Sequence, residues 1–293
     1  MRLNHSGRKP RGFTLIELLV VIAIIAVLAG LLLPTFGGAL GRGKETKCMS
    51  NLRQIGVMTM LYADENSDRF PVSGVTELCP VKNIMRRKPT LFTLGGKNPK
   101  PGHATINFLQ ATNRPLHQYQ GNEKVFHCPS DKGHKARPHG IDCPPYHETS
   151  KPSLWDYAGS SYMYNSALYA PVDNNRVPPL PPVVKTPPRP GLPRITTDEV
   201  EYPDRFILAH EPPARPVGRV IAPFTVEPWW CQWHRNRGRV DFRDPTIAPD
   251  LFFSNTLFVD GRVEMNNFSK SVKTDPYYPY EETLKWIWYQ PRN

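Results

Sequence analysis

The chain opens with one long apolar block and never repeats it. Residues 13–33 read FTLIELLVVIAIIAVLAGLLL, with a single charge, Glu17. At the helical rise this block spans roughly 31 Å, about the thickness of a bilayer core, so it predicts a membrane-crossing helix. Beyond it come Pro34, the Gly37-Gly38 pair and a glycine-rich stretch at 41–43. Proline removes a helical hydrogen bond and glycine is a weak helix former. They predict a hinge, with Pro34 placed to kink the helix. From Lys44 helix formers return. Met49, Leu52, Ile55, Met58 and Tyr62 recur at three- and four-residue steps, while Lys47, Arg53 and Gln54 fall off that face. Phe70-Pro71 ends any helix.

The pattern then changes. Residues 72–122 carry little periodicity and read as loop. Residues 171–193 hold nine prolines and predict an extended, polyproline-like surface loop. Strand candidates lie at 205–210 (RFILAH), 219–226 (RVIAPFTV) and 255–259 (NTLFV). The last precedes Asp260-Gly261 and then the alternating run 262–265. Two such runs around Asp-Gly predict a hairpin with a type I′ turn, which needs positive φ at both central residues. The fold class is therefore α+β: a long N-terminal helix packed against an antiparallel sheet head with long loops. The domain reading is a basic N-terminal segment at 1–12, a membrane helix at 13–33, its amphipathic continuation at 34–70, and a head at 71–293.

Composition agrees with a loop-rich head, because 33 prolines leave little room for long helices after residue 70. The formal charge is +11, and losing Arg2, Arg8, Lys9 and Arg11 with a leader would leave +7. Basic clusters at 86–88 and 235–243 could neutralise phosphates, but no nucleic-acid motif accompanies them, and no nucleic-acid partner is expected. Five cysteines occur, Cys48, Cys79, Cys128, Cys143 and Cys231. Outside the cytoplasm an odd count leaves at least one thiol free. Cys128–Cys143 and Cys48–Cys128 are both candidate disulfides. His127, Cys128, His134, His139, Cys143 and His147 offer zinc-ligand chemistry, yet without a CxxC pair or a known spacing. No metal or other cofactor is expected. Trp229, Trp230, Trp233, Trp286, Trp288 and the run 277–280 could stack on glycans, although core packing is the commoner use. Phosphate loops, nucleophile elbows and HExxH motifs are missing, so no enzymatic activity is expected.

Basic residues precede the apolar block and none lies within it, which keeps the N-terminus cytoplasmic and the head beyond the inner membrane. A secretory signal would carry its small-residue cleavage site after the block. Here a small residue, Gly12, precedes it, and Glu17 is costly in lipid without a partner. The segment Arg11-Gly12-Phe13-Thr14-Leu15-Ile16-Glu17 resembles the type IV prepilin and type II secretion pseudopilin motif. The resemblance implies cleavage between Gly12 and Phe13 by a prepilin peptidase and N-methylation of Phe13. It implies that Glu17 pairs with the terminal ammonium of a neighbouring subunit, and that Pro34 is the helix-kinking proline of many pilins. The partners implied are the peptidase, other pilin subunits and membrane lipid.

Residues 48–56 (CMSNLRQIG), 126–131 (FHCPSD) and 161–165 (SYMYN) further resemble a group of prepilin-like proteins of planctomycetes and verrucomicrobia. That group is known for a C-terminal H-x9-DG motif. Here His234 and Asp260-Gly261 are 25 residues apart, so the motif is interrupted by an arginine-rich insertion. A turn explains Asp260 and Gly261, and His234 is expected to hydrogen-bond beside it. The function expected is a filament subunit assembled through its N-terminal helix. A membrane-tethered glycan- or ligand-binding protein is the alternative, with a zinc-binding head behind it.

Overall fold

The computed structural model describes residues 13–72, 75–79, 84–88, 94–99, 106–107, 109–131, 153–165, 192, 195–214, 233–234, 252–274 and 283–288. The chain divides into two compact units, Met1–Gly43 and Lys44–Asn293.

Helix α1 runs Leu15–Glu65. Its backbone is helical through Pro34 and the glycines that follow, so the chain does not leave the helix there. A proline removes one i→i−4 bond, and the bonds on either side carry the helix across it. Among the described residues of the first unit the large apolar side chains are exposed: Phe13, Ile16 and Leu31 are 73%, 74% and 69% exposed. Among the described residues no helix is long and apolar enough to cross a membrane.

In the second unit the same helix buries one face. Cys48, Leu52, Ile55 and Met58 join the core, and Arg53 and Gln54 lie exposed. Met49 and Tyr62, at the edge of the predicted face, are only partly buried. The centre of the buried stripe instead includes two polar residues, Asn51 and Thr59.

That stripe packs on an antiparallel sheet of four strands in the order β4-β5-β6-β7: Met163–Tyr164, Ile207–His210, Phe253–Phe258 and Val263–Asn267. Central strands β5 and β6 are buried along their whole length, while in edge strand β7 Val263 and Asn266 are buried and Glu264 and Asn267 exposed. Helix and sheet approach closely at Gly56, where an added Cβ would lie 3.2 Å from Leu257 Cδ1. A β-bulge between Ile207 and Ala209 shifts the β5–β6 register.

Strands at 205–210 and 255–259 were expected and form with slightly shifted ends. The 219–226 candidate lies outside the described residues, as does all of the proline-rich loop except buried Leu192. The turn between β6 and β7 differs from expectation. Gly261 alone has positive φ, at 87°. Its N–H donates to Phe258 O at 3.0 Å, and Phe258 N–H donates to Arg262 O at 2.9 Å. This is the three-residue connection in which a tight turn is closed by a left-handed glycine, not a type I′ turn.

Residues 72–122, read as loop, contain a second antiparallel sheet, β2-β1-β3, formed by Ile84–Lys88, Val75–Cys79 and Ile106–Asn107. Short strands rich in charge, such as IMRRK, give no period-2 signal of their own. Their pairing sets Glu77 opposite Arg86, a relation between strands that a scan along one strand misses. The described residues of the head also include two short α-helices, α2 (Leu154–Ala158) and α3 (Ser269–Thr274).

Candidate functional site

Two places concentrate chemistry. The first is the start of α1. Thr14 N–H and Oγ1 donate to Glu17 Oε2 at 2.8 and 2.9 Å, and Glu17 N–H donates back to Thr14 Oγ1 at 3.2 Å. This is a reciprocal capping box, in which an N-terminal Thr and a Glu three residues on satisfy amides the helix leaves unpaired. The T-x-x-E spacing before an apolar run was the available signal, and the sequence reading had given Glu17 only a neighbouring subunit as partner. Phe13 is exposed, Gly12 lies outside the described residues, and nothing is described of the Pro34 side chain.

The second place lies beneath the buried face of α1. Cys48 and Cys128 are disulfide-bonded, with Cα atoms 5.4 Å apart and a sequence separation of 80. Closing a loop of that length is worth about 4 kcal/mol in the chain-entropy description. Cys143 lies outside the described residues. Around the two sulfurs sit Glu211, at the end of β5, and His234. Cys128 Sγ is 3.4 Å from Glu211 Oε1 and 3.7 Å from His234 Nε2, and Nε2 lies 2.7 Å from the same Oε1. Both ionisable side chains are fully buried. Burial alone would drive protons off His234, but the Glu211 carboxylate outweighs it by charge and hydrogen bond and holds the imidazole above its ordinary range. Ser130 Oγ lies 3.2 Å from His234 Nδ1, and Asn255 N–H donates to Glu211 Oε2 at 2.9 Å.

His234 was expected beside the Asp260-Gly261 turn. Its described partners are instead Cys128, Ser130 and Glu211. Asp260 accepts from Arg262 N–H at 2.9 Å within the turn. The interruption of the H-x9-DG spacing accounts for the misreading, because distance along the chain says nothing once 25 residues intervene. Glu211 and Asn255 were not singled out, and an acidic residue ending an apolar strand was the only signal. Of the six His and Cys residues at 127–147, His127 and Cys128 are described. His127 stacks on Trp155 with ring centroids 5.1 Å apart.

The three motif patches meet here. Asn51 Nδ2 donates to His127 O at 2.9 Å and to Tyr162 Oη at 3.2 Å. Ser161 N–H donates to Phe126 O at 2.8 Å. Asp131 accepts the first amides of α2, from Leu154 and Trp155, and the Ser161 hydroxyl, all within 3.0 Å. Burial raises the Asp131 carboxyl above the usual range, against those hydrogen bonds. Asn165 Nδ2 donates to Ile207 O and Trp288 O. Arg114 donates to the carbonyls of Gly95, Ala158 and Leu109, and burial lowers its pKa to about 10. Trp233, Trp286 and Trp288 are buried, so these three offer no face to a glycan. Trp229, Trp230 and residues 277–280 lie outside the described residues.

Comparison with known proteins places these features in a family context. Residues 7–33 match the prokaryotic N-terminal methylation motif. The type IV wide pilus major component PilA4 of Thermus thermophilus is 42% identical over 129 residues, covering 43% of this chain and 86% of that protein. The type IV major pilin protein PilA of Myxococcus xanthus is 40% identical over 70 residues, 24% of this chain and 31% of that one. The type II secretion system core protein G of Pectobacterium carotovorum is 36% identical over 68 residues, 23% of this chain and 43% of that one. The chain thus spans less than half the length of the last two. No solved structure matches it.

Proposed function

The chain belongs to the family of type IV pilins and type II secretion pseudopilins, and from that premise we propose how it is delivered and assembled. It is a pilin-like subunit of a type IV pilus or type II secretion filament. A prepilin peptidase cuts between Gly12 and Phe13 on the cytoplasmic side and methylates the new amine of Phe13. Residues 13–33 hold the subunit in the inner membrane before assembly, with the head outside the cytoplasm. The work is structural, not enzymatic. Within the family we assign the chain to the H-x9-DG group, supported by the three sequence patches that converge on the head cluster.

The observation that carries this reading is the methylation motif lying across Gly12, Phe13 and Glu17. The uncovered apolar side chains of the first unit support it, since a patch of that size on a lone chain needs lipid or neighbours around it. In the filament, Glu17 exchanges its local capping partners for a neighbour's ammonium. Opposite charges in low dielectric attract strongly, and neither is tolerated alone. Mass spectrometry of the mature N-terminus tests the processing: a chain beginning at methylated Phe13 is expected, and an intact Met1 or a later cut refutes it. Glu17→Ala is expected to be cleaved normally yet to leave the sheared filament fraction. Normal incorporation of that variant sinks the assembly role of Glu17.

A further inference from the structure

We propose that Cys48, Cys128, Glu211 and His234 form a structural zinc site when the two cysteines are thiolates, in place of the disulfide. One ligand atom from each of the four lies within 4.8 Å of all the others. The set is two sulfurs, one imidazole nitrogen and one carboxylate oxygen, a donor mixture suited to Zn²⁺. Four protein ligands in a buried position make a closed, structural site rather than a catalytic one with an open position.

The distances support tetrahedral geometry. Bonds of roughly 2.3 Å to sulfur and 2.0–2.2 Å to nitrogen and oxygen put sulfur–nitrogen and sulfur–oxygen edges at about 3.5–3.6 Å. The Cys128 sulfur stands 3.7 Å from His234 Nε2 and 3.4 Å from Glu211 Oε1. The nitrogen–oxygen edge, 2.7 Å with a shared proton, opens by roughly 0.7 Å when a metal replaces that proton. The sulfurs separate from covalent to van der Waals contact.

The surroundings are those of a supported site. Metal-bound histidines donate their other ring N–H to a fixed acceptor, and Ser130 Oγ stands 3.2 Å from Nδ1. That bond leaves Nε2 free for a metal. The second carboxylate oxygen of Glu211 is held by the Asn255 amide. In the disulfide form, by contrast, the sulfur has no hydrogen to give the carboxylate 3.4 Å away, and a buried contact between two acceptors gains nothing.

The chemistry balances without electrons. Cysteines are synthesised as thiols, so Zn²⁺ binding displaces two thiol protons and the one proton shared between Glu211 Oε1 and His234 Nε2, three in all. The loaded site carries a net charge of −1, the same as a Cys3His site. The disulfide is the two-electron oxidised alternative, and the states exclude each other because a sulfur in an S–S bond has no thiolate to donate. The zinc would join α1, the segment after Phe126, the end of β5 and the segment before β6, all within the second unit. The proposal does not depend on filament assembly.

The test uses the full chain purified in detergent, expressed with zinc and kept in a phosphine reductant, beside an air-oxidised sample. One zinc per chain is expected in the reduced sample and none in the oxidised one. Cobalt in place of zinc is expected to give the intense visible bands of a tetrahedral ion together with thiolate-to-cobalt charge transfer. Glu211→Gln and Ser130→Ala are each expected to weaken zinc binding about 10- to 100-fold with near-ultraviolet circular dichroism unchanged. Cys143→Ser, His134→Ala and His139→Ala are expected to leave it unchanged. If Cys48→Ser does not fold, the cobalt spectrum and thiol count of the unaltered chain still decide. Free labelling of both thiols in the reduced, metal-supplied chain overturns the proposal. So does an octahedral cobalt spectrum, or loss of metal in the 134–143 variants but not in Glu211→Gln.

Discussion

The two ends of α1 are built from similar apolar residues and put them to opposite uses. Before Gly43 the large apolar side chains are exposed, with Leu15 at 77% and Ile22 at 55%. After Lys44 the inward ones are sealed, with Leu52 at 0% and Ile55 at 1%. The difference lies in what each segment meets, not in helix propensity. The second half finds Leu257 and the central strands within its own chain. The described apolar side chains of the first half stay exposed. The packing that stabilises the fold is therefore seen in the second unit, and under the proposed function the first unit is where assembly acts.

The sharpest way to break that division is a pair of equal truncations. Leu52→Ala removes fully buried methyl groups and is expected to cost the head about 2–5 kcal/mol, read as a lower denaturant midpoint. Ile22→Ala, on the exposed stretch, is expected to stay within about 0.5 kcal/mol by the same measure while lowering the yield of pelleted filaments. Equal destabilisation by the two would erase the distinction.

A smaller effect tests the polar side of the head. Asp131→Ala strands the amides of Leu154 and Trp155 and the Ser161 hydroxyl, for about 1–3 kcal/mol. The loss depends on pH. Burial holds the folded-state pKa of Asp131 above its unfolded value, so the protonated form is favoured by folding. Its contribution is complete below the unfolded value of about 3.9 and declines as pH rises through the folded-state value. The stability gap between the unaltered chain and Asp131→Ala should therefore be widest in acid and narrow toward neutrality. A gap that widens with pH would mean that the three hydrogen bonds outweigh burial.

What could be read from the sequence followed the same division. The 13–33 block and the Met49 to Tyr62 periodicity are local patterns, and local patterns survive into structure because helix geometry is local. The 255–265 hairpin was legible for the same reason, down to its Asp-Gly, although not its turn type. The β2-β1-β3 sheet was not, since its signal lies in pairing between strands. The cluster around Glu211 was illegible in a stronger sense. Cys48 and Cys128 were already paired as one of two candidate disulfides, and that pair forms, but nothing along the chain says that residues 211 and 234 join them. Glu17 shows a local role beside the expected one: in the lone chain its carboxylate caps its own helix at Thr14, three positions away.

Thr14→Ala carries the smallest expected effect and examines that last point. It deletes the hydroxyl that both donates to Glu17 Oε2 and accepts from Glu17 N–H, leaving the Thr14 backbone N–H on the carboxylate. Losing an N-cap side chain costs about 0.5–1 kcal/mol, which corresponds to amide exchange in the first turn faster by roughly two- to fivefold. Cleavage at Gly12/Phe13 is expected to be unchanged, because the peptidase motif around Gly12 and Glu17 is intact. Filament incorporation should be retained, since Glu17 keeps its charge and gives up a competitor for its intersubunit bond. If Thr14→Ala instead abolished incorporation as Glu17→Ala is expected to, the capping box would itself be the assembled state of the carboxylate. Glu17 would then act by fixing the start of its own helix rather than by reaching a neighbour.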